Sequence, residues 1–276
     1  FENLYPEGHP YHIPTIGKHE DIDAANLEDV KDFFKQWYLP NNASLAISGD
    51  FEPAEAKALV QKYFGDIPSG PQPSPILDVE PTVLTEETLI RKTDDVPHNK
   101  VWLAWHSPAV YAPGDAELDV LSSILSSGKD SRLYRALVES TQMAQGVSAY
   151  QVSMLLGSFY VIEATASEGE DPDELVASID KLLADLKSEG VTQEEVDLAK
   201  INWEARFFRG MQTISSKANR LNQYFIQTGD TDYIGKDLAR FMDVTPDGIS
   251  QALQGLGEGR VQLHIGPKKA DAEEGK

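Results

Sequence analysis

Five prolines, Pro68, Pro71, Pro73, Pro75 and Pro81, fall with Gly70 between residues 66 and 81. Each proline fixes φ and removes a backbone donor, so neither a helix nor an inner strand can run through the stretch. The chain is therefore expected to fold as one part before it and another after it, with an extended linker between. Its 276 residues suffice for one large or two modest domains with a real core.

Before the linker, Leu27, Val30, Phe33, Phe34 and Trp37 recur at helical spacing behind Asn26, a good N-cap. Pro40-Asn41-Asn42 ends that helix, and Ala43 to Ser48 reads as a short buried strand closed by Gly49-Asp50. A second helix follows Pro53, with Ala56, Leu59, Val60 and Tyr63 on one face.

After the linker, strands are predicted at Thr88 to Lys92 and Lys100 to His106, and helices at about Asp115 to Leu125 and Ser131 to Ser140. Residues 143 to 154 and 157 to 166 read as an antiparallel pair, the second rich in β-branched and aromatic residues. Asp171-Pro172 opens a helix to about Ser188, and the capping box of Thr192 and Glu195 opens a long one expected to reach Gln227. On that helix Lys200, Arg206, Arg209, Lys217 and Arg220 read as a solvated face. Trp203, Phe207, Phe208, Leu221, Tyr224 and Phe225 read mostly as core. Two shorter helices, at roughly 232 to 242 and 246 to 254, lead to a last strand at Arg260 to Ile265.

A helix-then-strand pattern occurs twice. Asn26 to Gly49 spans 23 residues from cap to closing glycine, and Thr245 to Gly266 spans 21. The pattern is common enough that it leaves an internal repeat and a coincidence both open.

Composition removes several functions. With 24 Lys+Arg against 45 Asp+Glu, the net charge of −21 disfavours nucleic acid and anionic membrane surfaces. No cysteine is present, which excludes disulfides, Cys-ligated zinc and thiol nucleophiles. No apolar run approaches the roughly 20 residues of a membrane span. The missing initiator Met and the absence of a basic, then apolar leader point to a start inside a longer precursor.

Catalytic motifs are also missing. Six histidines occur, at 9, 12, 19, 98, 106 and 264, but no His-Glu-x-x-His pair shares a helical face. His9-x-x-His12 contains Pro10, which removes the helical pre-organisation a zinc pair needs. Gly128-Lys129-Asp130-Ser131 lacks the earlier glycine of a phosphate loop, and no Gly-x-Ser-x-Gly occurs. Residue chemistry alone thus gives a two-part α/β protein without a self-contained active site.

The ordered set His9-Pro10-Tyr11, Ile16-Gly17, Tyr38-x-Pro40-Asn41-Asn42-Ala43, Gly49-Asp50-Phe51 and Tyr63-Phe64-Gly65-x-Ile67-Pro68 resembles the M16 metallopeptidase family. Further on, Pro108, Leu118 to Leu125, Gly128-x-x-Ser131-Arg132-Leu133-Tyr134-x-x-Leu137-Val138 and Ala144 resemble its second, non-catalytic domain. The resemblance implies an α+β fold of duplicated units, each an antiparallel sheet with helices packed on one face, the first unit truncated. Residues 1–70 would be the C-terminal part of the first unit and 71–87 the Pro-rich linker. Residues 88–268 would be a complete second unit, and 269–276 a disordered tail.

It also implies zinc in a full-length parent, bound by an inverted His-x-x-Glu-His helix and a distal Glu. Both lie upstream of the His-Pro-Tyr segment in that family, so no zinc ligand, catalytic residue or cofactor is assigned to this chain. The Arg and Tyr that help hold substrate in the family's second domain fall on Val138 and Gln145. Arg132, Arg135 and Tyr150 lie nearby as candidate substrate-binding residues, with a surface salt bridge or helix cap as the alternative for Arg132. A peptide could also add as a strand to a sheet edge.

The expected function is the substrate-enclosing part of a zinc endopeptidase acting on peptides, inactive alone and partnered by an upstream catalytic unit or another M16 subunit. The alternative is a non-catalytic partner-binding or structural subunit, and a third reading is an unrelated acidic binding module. An acidic, cysteine-free chain also fits a bacterial periplasm or cell envelope.

Overall fold

The computed structural model describes residues 1–73, 79 and 82–268. Residues 74–78, 80 and 81 of the proline-dense stretch, and the tail expected to be disordered, lie outside the described residues. The chain divides into two compact units. One holds residues 1–12, 80–204 and 237–276, and the other holds 13–79 and 205–236.

The first unit is built on a five-stranded sheet of β1 (Thr88–Asp94), β2 (Lys100–Ser107), β3 (Ala144–Val152), β4 (Ser158–Ala166) and β5 (Val261–Pro267), in the order β1-β5-β2-β4-β3. All pairings are antiparallel except β1 with β5, which run parallel, so the sheet is mixed where the resemblance implied an antiparallel one. The exposed edge strand β1 carries Arg91, Lys92 and Asp94, charges that discourage another strand from adding there.

Alternation along the central strands sets the two faces. Val101, Leu103 and Trp105 of β2 and Tyr160, Ile162 and Ala164 of β4 point to the main core. Leu118, Leu121 and Leu125 of α4 (Asp115–Ser126) meet them, as do Leu175, Ile179 and Leu186 of α5 (Pro172–Glu189). Ile249 and Leu253 of α9 (Pro246–Gly255), the helix that follows α8 (Ile234–Met242), complete the layer. The i, i+3/i+4 spacing of each set is what lets one helical stripe cover a sheet face. Helices α4, α5 and α9 lie on that one face. Between α4 and β3, Tyr134–Ser140 forms a π-type turn of helix whose Leu137 is buried.

Gly259 precedes β5 where the chain passes the 82–85 segment. A Cβ added there would lie 2.0 Å from the Leu84 carbonyl oxygen, so no side chain fits without moving backbone.

The second unit, as described, is helical: α1 (His19–Ala24), α2 (Leu27–Trp37), α3 (Pro53–Phe64) and α7 (Ile214–Thr228). Asn26 and Asp29 form the reciprocal cap of α2. The long helix expected from Thr192 to Gln227 is instead two, α6 (Gln193–Arg209) and α7. Gly210 and Met211 turn back onto the Arg206 and Phe208 carbonyls, and Thr213 caps α7 by accepting from the Ser216 N–H at 3.1 Å. Phe207 and Tyr224 are buried as expected, whereas Phe208, Leu221 and Phe225 are about half exposed.

The buried strand expected at Ala43 to Ser48 is not one. The stretch pairs with no strand among the described residues and leaves Leu45 and Ile47 exposed, because its neighbour is helix α7, where Ser44 bonds Asn222. No helix among the described residues is long and apolar enough to cross a membrane.

Candidate functional site

The face of the sheet turned away from the helices has two halves. One is covered by the N-terminal segment: Leu4 and Tyr5 pack on Ala104, Phe159, Val161 and Val261. Tyr5 donates its hydroxyl to the Gly157 carbonyl at 3.0 Å, and the Tyr11 hydroxyl accepts from the Leu156 N–H at 3.3 Å. The Tyr5 ring lies between two imidazoles, His9 stacked at 4.6 Å and His106 tilted at 5.1 Å between centroids. Nδ1 of His9 accepts from the Tyr11 N–H at 3.0 Å. Its Nε2 and both ring nitrogens of His106 are buried and make no well-formed hydrogen bond among the described residues, the His106 ring lying near the Leu4 and Thr82 backbone. Burial holds both histidines below the usual imidazole pKa.

The other half is open. A hollow of about 260 Å³ lies over β2, β4 and β3, lined by Lys100, Trp102, Gly146, Ser148, Glu163 and Thr165 among others. Strand register builds it in rows. Trp102, Glu163 and Ser148 lie side by side, and Lys100, Thr165 and Gly146 form the next row. Gly146 sits beside a register shift in β3, and no atom occupies the space where its Cβ would stand.

The polar group at the centre is the Glu163 carboxylate. Its Oε2 accepts from Trp102 Nε1 at 2.9 Å and from the Tyr150 hydroxyl at 3.3 Å. Those two donors orient the carboxylate and leave Oε1 without a hydrogen-bond partner among the described residues. The Tyr150 phenol is pushed above its ordinary pKa, first by burial and then by the Glu163 charge, so it stays a donor at neutral pH. Lys100 is partly buried and makes no ion pair or hydrogen bond through Nζ among the described residues.

The three residues singled out in the sequence separate. Tyr150 lies on this open face. Arg132 lies on the helix side, where Nε and Nη2 donate to the two oxygens of Glu195 at 2.7 and 2.8 Å. Nη2 also donates to the Gly190 carbonyl just past α5, at 3.2 Å. Glu195 accepts from the Thr192 N–H as well, and its carboxyl is lowered to about 2, chiefly by Arg132. This is the salt bridge and cap weighed as the alternative. Arg135 is exposed, Val138 packs against the core, and Gln145 is exposed beside Gly146.

Trp102, Glu163 and Lys100 escaped the sequence reading. One signal for them existed. Glu163 interrupts the run Phe159-Tyr160-Val161-Ile162-Glu163-Ala164, and alternation puts it opposite the core face.

The other ionic clusters of this unit fasten elements together. Arg240 pairs with buried Asp115 at the start of α4 and with Asp237 at 2.8 Å. Arg260 pairs with Glu87 at 2.5 Å and with Asp180 of α5. Among the described residues no group of three His, Asp or Glu side chains is placed to hold a metal ion. The described side chains therefore do not fit a zinc centre of their own.

A five-stranded mixed sheet with helices packed on one face and a partly open opposite face defines a class of mixed α and β domain. The family profile described as the peptidase M16 inactive domain matches residues 24–202, and the chain belongs to that family. Among curated relatives, a Helicobacter pylori protein named zinc protease PqqE is 30% identical over 231 residues, covering 82% of this chain and 52% of that protein. The chain spans about half the length of the curated relatives it matches. A crystal structure of a protease from Helicobacter pylori superposes with a TM-score of 0.84 at 25% identity, over 94% of this chain and 63% of that one. That of a peptidase M16 inactive domain from Pseudomonas fluorescens gives 0.83 at 20% identity, over 98% and 64%.

Proposed function

We propose that the chain is the substrate-enclosing, non-catalytic portion of a zinc-dependent endopeptidase acting on peptides. In this reading the zinc ligands, including a His-x-x-Glu-His helix, belong to an upstream catalytic unit or a partner subunit. Residues 1–70 would be the C-terminal part of a first unit, 71–87 a linker and 88–268 a complete second unit. The observation that carries the reading is the match of residues 24–202 to the inactive domain, in relatives named zinc proteases about twice as long. The open face around Glu163 and Tyr150 supplies a wall for a peptide, and Arg132, held by Glu195, stiffens the frame behind it.

The test compares this chain with the same chain joined to an upstream segment carrying His-x-x-Glu-His. Zinc content by elemental analysis and cleavage of a quenched fluorescent peptide library are measured for both. The isolated chain is expected to hold no stoichiometric zinc and to cleave nothing, while the extended one does both. Cleavage by the isolated chain that survives contaminant controls would sink the proposal.

A second reading, a partner-binding or structural subunit, is favoured by Val138 and Gln145, which stand where the family places its substrate-holding Arg and Tyr. An upstream segment of the same fold without the zinc motif selects it.

A further inference from the structure

We infer that the hollow on the open half of the sheet binds the C-terminal end of a peptide whose last residue is arginine or lysine. The inference names the ligand class of the face invoked above and rests on that reading.

Two charges of opposite sign face the same 260 Å³ hollow without neutralising each other. Trp102 Nε1 and the Tyr150 hydroxyl hold Glu163 by one oxygen, leaving Oε1 to receive a cation. Lys100 stands one row along and on the neighbouring strand, diagonal to Glu163, and its ammonium has no partner among the described residues. Diagonal neighbours across an antiparallel pair lie about 7–8 Å apart. A C-terminal arginine or lysine carries its cation and its carboxylate one side chain apart, so a single residue can answer both charges of the hollow. The cation would meet Glu163 while its apolar stem crosses the Trp102 indole, a surface that also attracts cations. The carboxylate would meet Lys100.

Gly146 leaves the floor of that row without a side chain, which gives the ligand backbone room beside Ser148 and Thr165. A plain cation would be repelled by Lys100 and a plain anion by Glu163, so both charges are required. The −21 net charge of the chain draws cationic peptides toward it from a distance.

The experiment is calorimetric titration of the whole chain with three synthetic tetrapeptides: Ala-Ala-Ala-Arg with a free carboxylate, its C-terminal amide, and its citrulline counterpart. The free-acid arginine peptide is expected to bind at least tenfold more tightly than either of the others. Glu163→Gln should erase the arginine-over-citrulline preference, and Lys100→Met the acid-over-amide preference. Thermal midpoints within a few degrees of the parent chain confirm that both variants fold. Equal affinity for the three peptides, no binding of any, or variants that keep both preferences would each overturn the inference. The peptide-side comparison needs no variant, so it decides even if one fails to fold. Failure here leaves the cleavage test untouched, and failure of the cleavage test leaves this binding result standing.

Discussion

Helices α2 and α4 are alike on paper and opposite in the molecule. Each is amphipathic, each has acids in its first turn and a side chain at N3 reaching back to the cap. Yet seven of the twelve residues of α4 are buried, and none of α2 is. Leu121 is fully covered, whereas Phe34 is 51% exposed and Leu27 71%. The contrast teaches that amphipathy records which face of a helix needs cover. It does not say that the same compact unit supplies it. For α4 the sheet does, because β3 and β4 present Ala149 and Ile162 to it. In α2 no residue is buried, and beside the stretch Ala43 to Ser48 lies only the half-exposed face of α7, where Ser44 bonds Asn222.

That contrast can be broken most directly by truncation. Leu121→Ala should lower unfolding free energy by about 2–5 kcal/mol, the range for an aliphatic core deletion. Phe34→Ala should change it by no more than about 0.5 kcal/mol, as an exposed site would. Urea titrations followed by circular dichroism measure both, and a large loss from Phe34→Ala would show α2 to be covered after all. Next in size, Gly259→Ala should cost about 1–3 kcal/mol, because the new methyl collides with the Leu84 backbone.

The bond between Arg132 and Glu195 sharpens the comparison through pH. Glu195 titrates at about 2 when folded and near its ordinary 4.5 when unfolded. The unfolded chain therefore binds the proton first as pH falls. Stability from this carboxylate is present above about 4.5 and is lost progressively toward 2. With partial exposure the loss should be about 1–2 kcal/mol, read from urea midpoints between pH 5 and 3. Arg132→Met should flatten that part of the curve.

The smallest effect is expected at the N-terminal segment. His9 and His106 are held below the ordinary 6.5 by burial, so below that pH the open or unfolded form takes up protons that the packed form resists. Amide hydrogen exchange in residues 1–12, corrected for the intrinsic pH dependence, should show protection at pH 7.5 that falls at pH 5.5. Protection over α4 should stay unchanged.

Much of the first unit was legible because its elements are locally consistent. The strands at 88, 100 and 261, the Asp171-Pro172 start of α5 and the Thr192 capping box all appear within a residue or two of their expected places. The break at Gly210 to Gln212 was hidden by apolar residues that keep helical spacing across it. The Ala43 to Ser48 error has another origin. An apolar run bounded by turn residues satisfies the pattern for a strand, but pairing needs a neighbour that the pattern cannot supply. At the candidate site only Tyr150 was found. Glu163 and Trp102 meet across two strands 61 residues apart in sequence, a contact that register creates and no local motif announces.

The position of β5 has a consequence for synthesis. It is the last strand to be made, yet it lies between β1 and β2. While a ribosome is still translating residues 261–267, β1 has nothing to pair with and β2 has an open side. The sheet can close only after β5 has emerged, so its assembly is dominated by contacts distant in sequence. Until then the nascent chain exposes unpaired strand edges, the surface that chaperones and aggregation compete for.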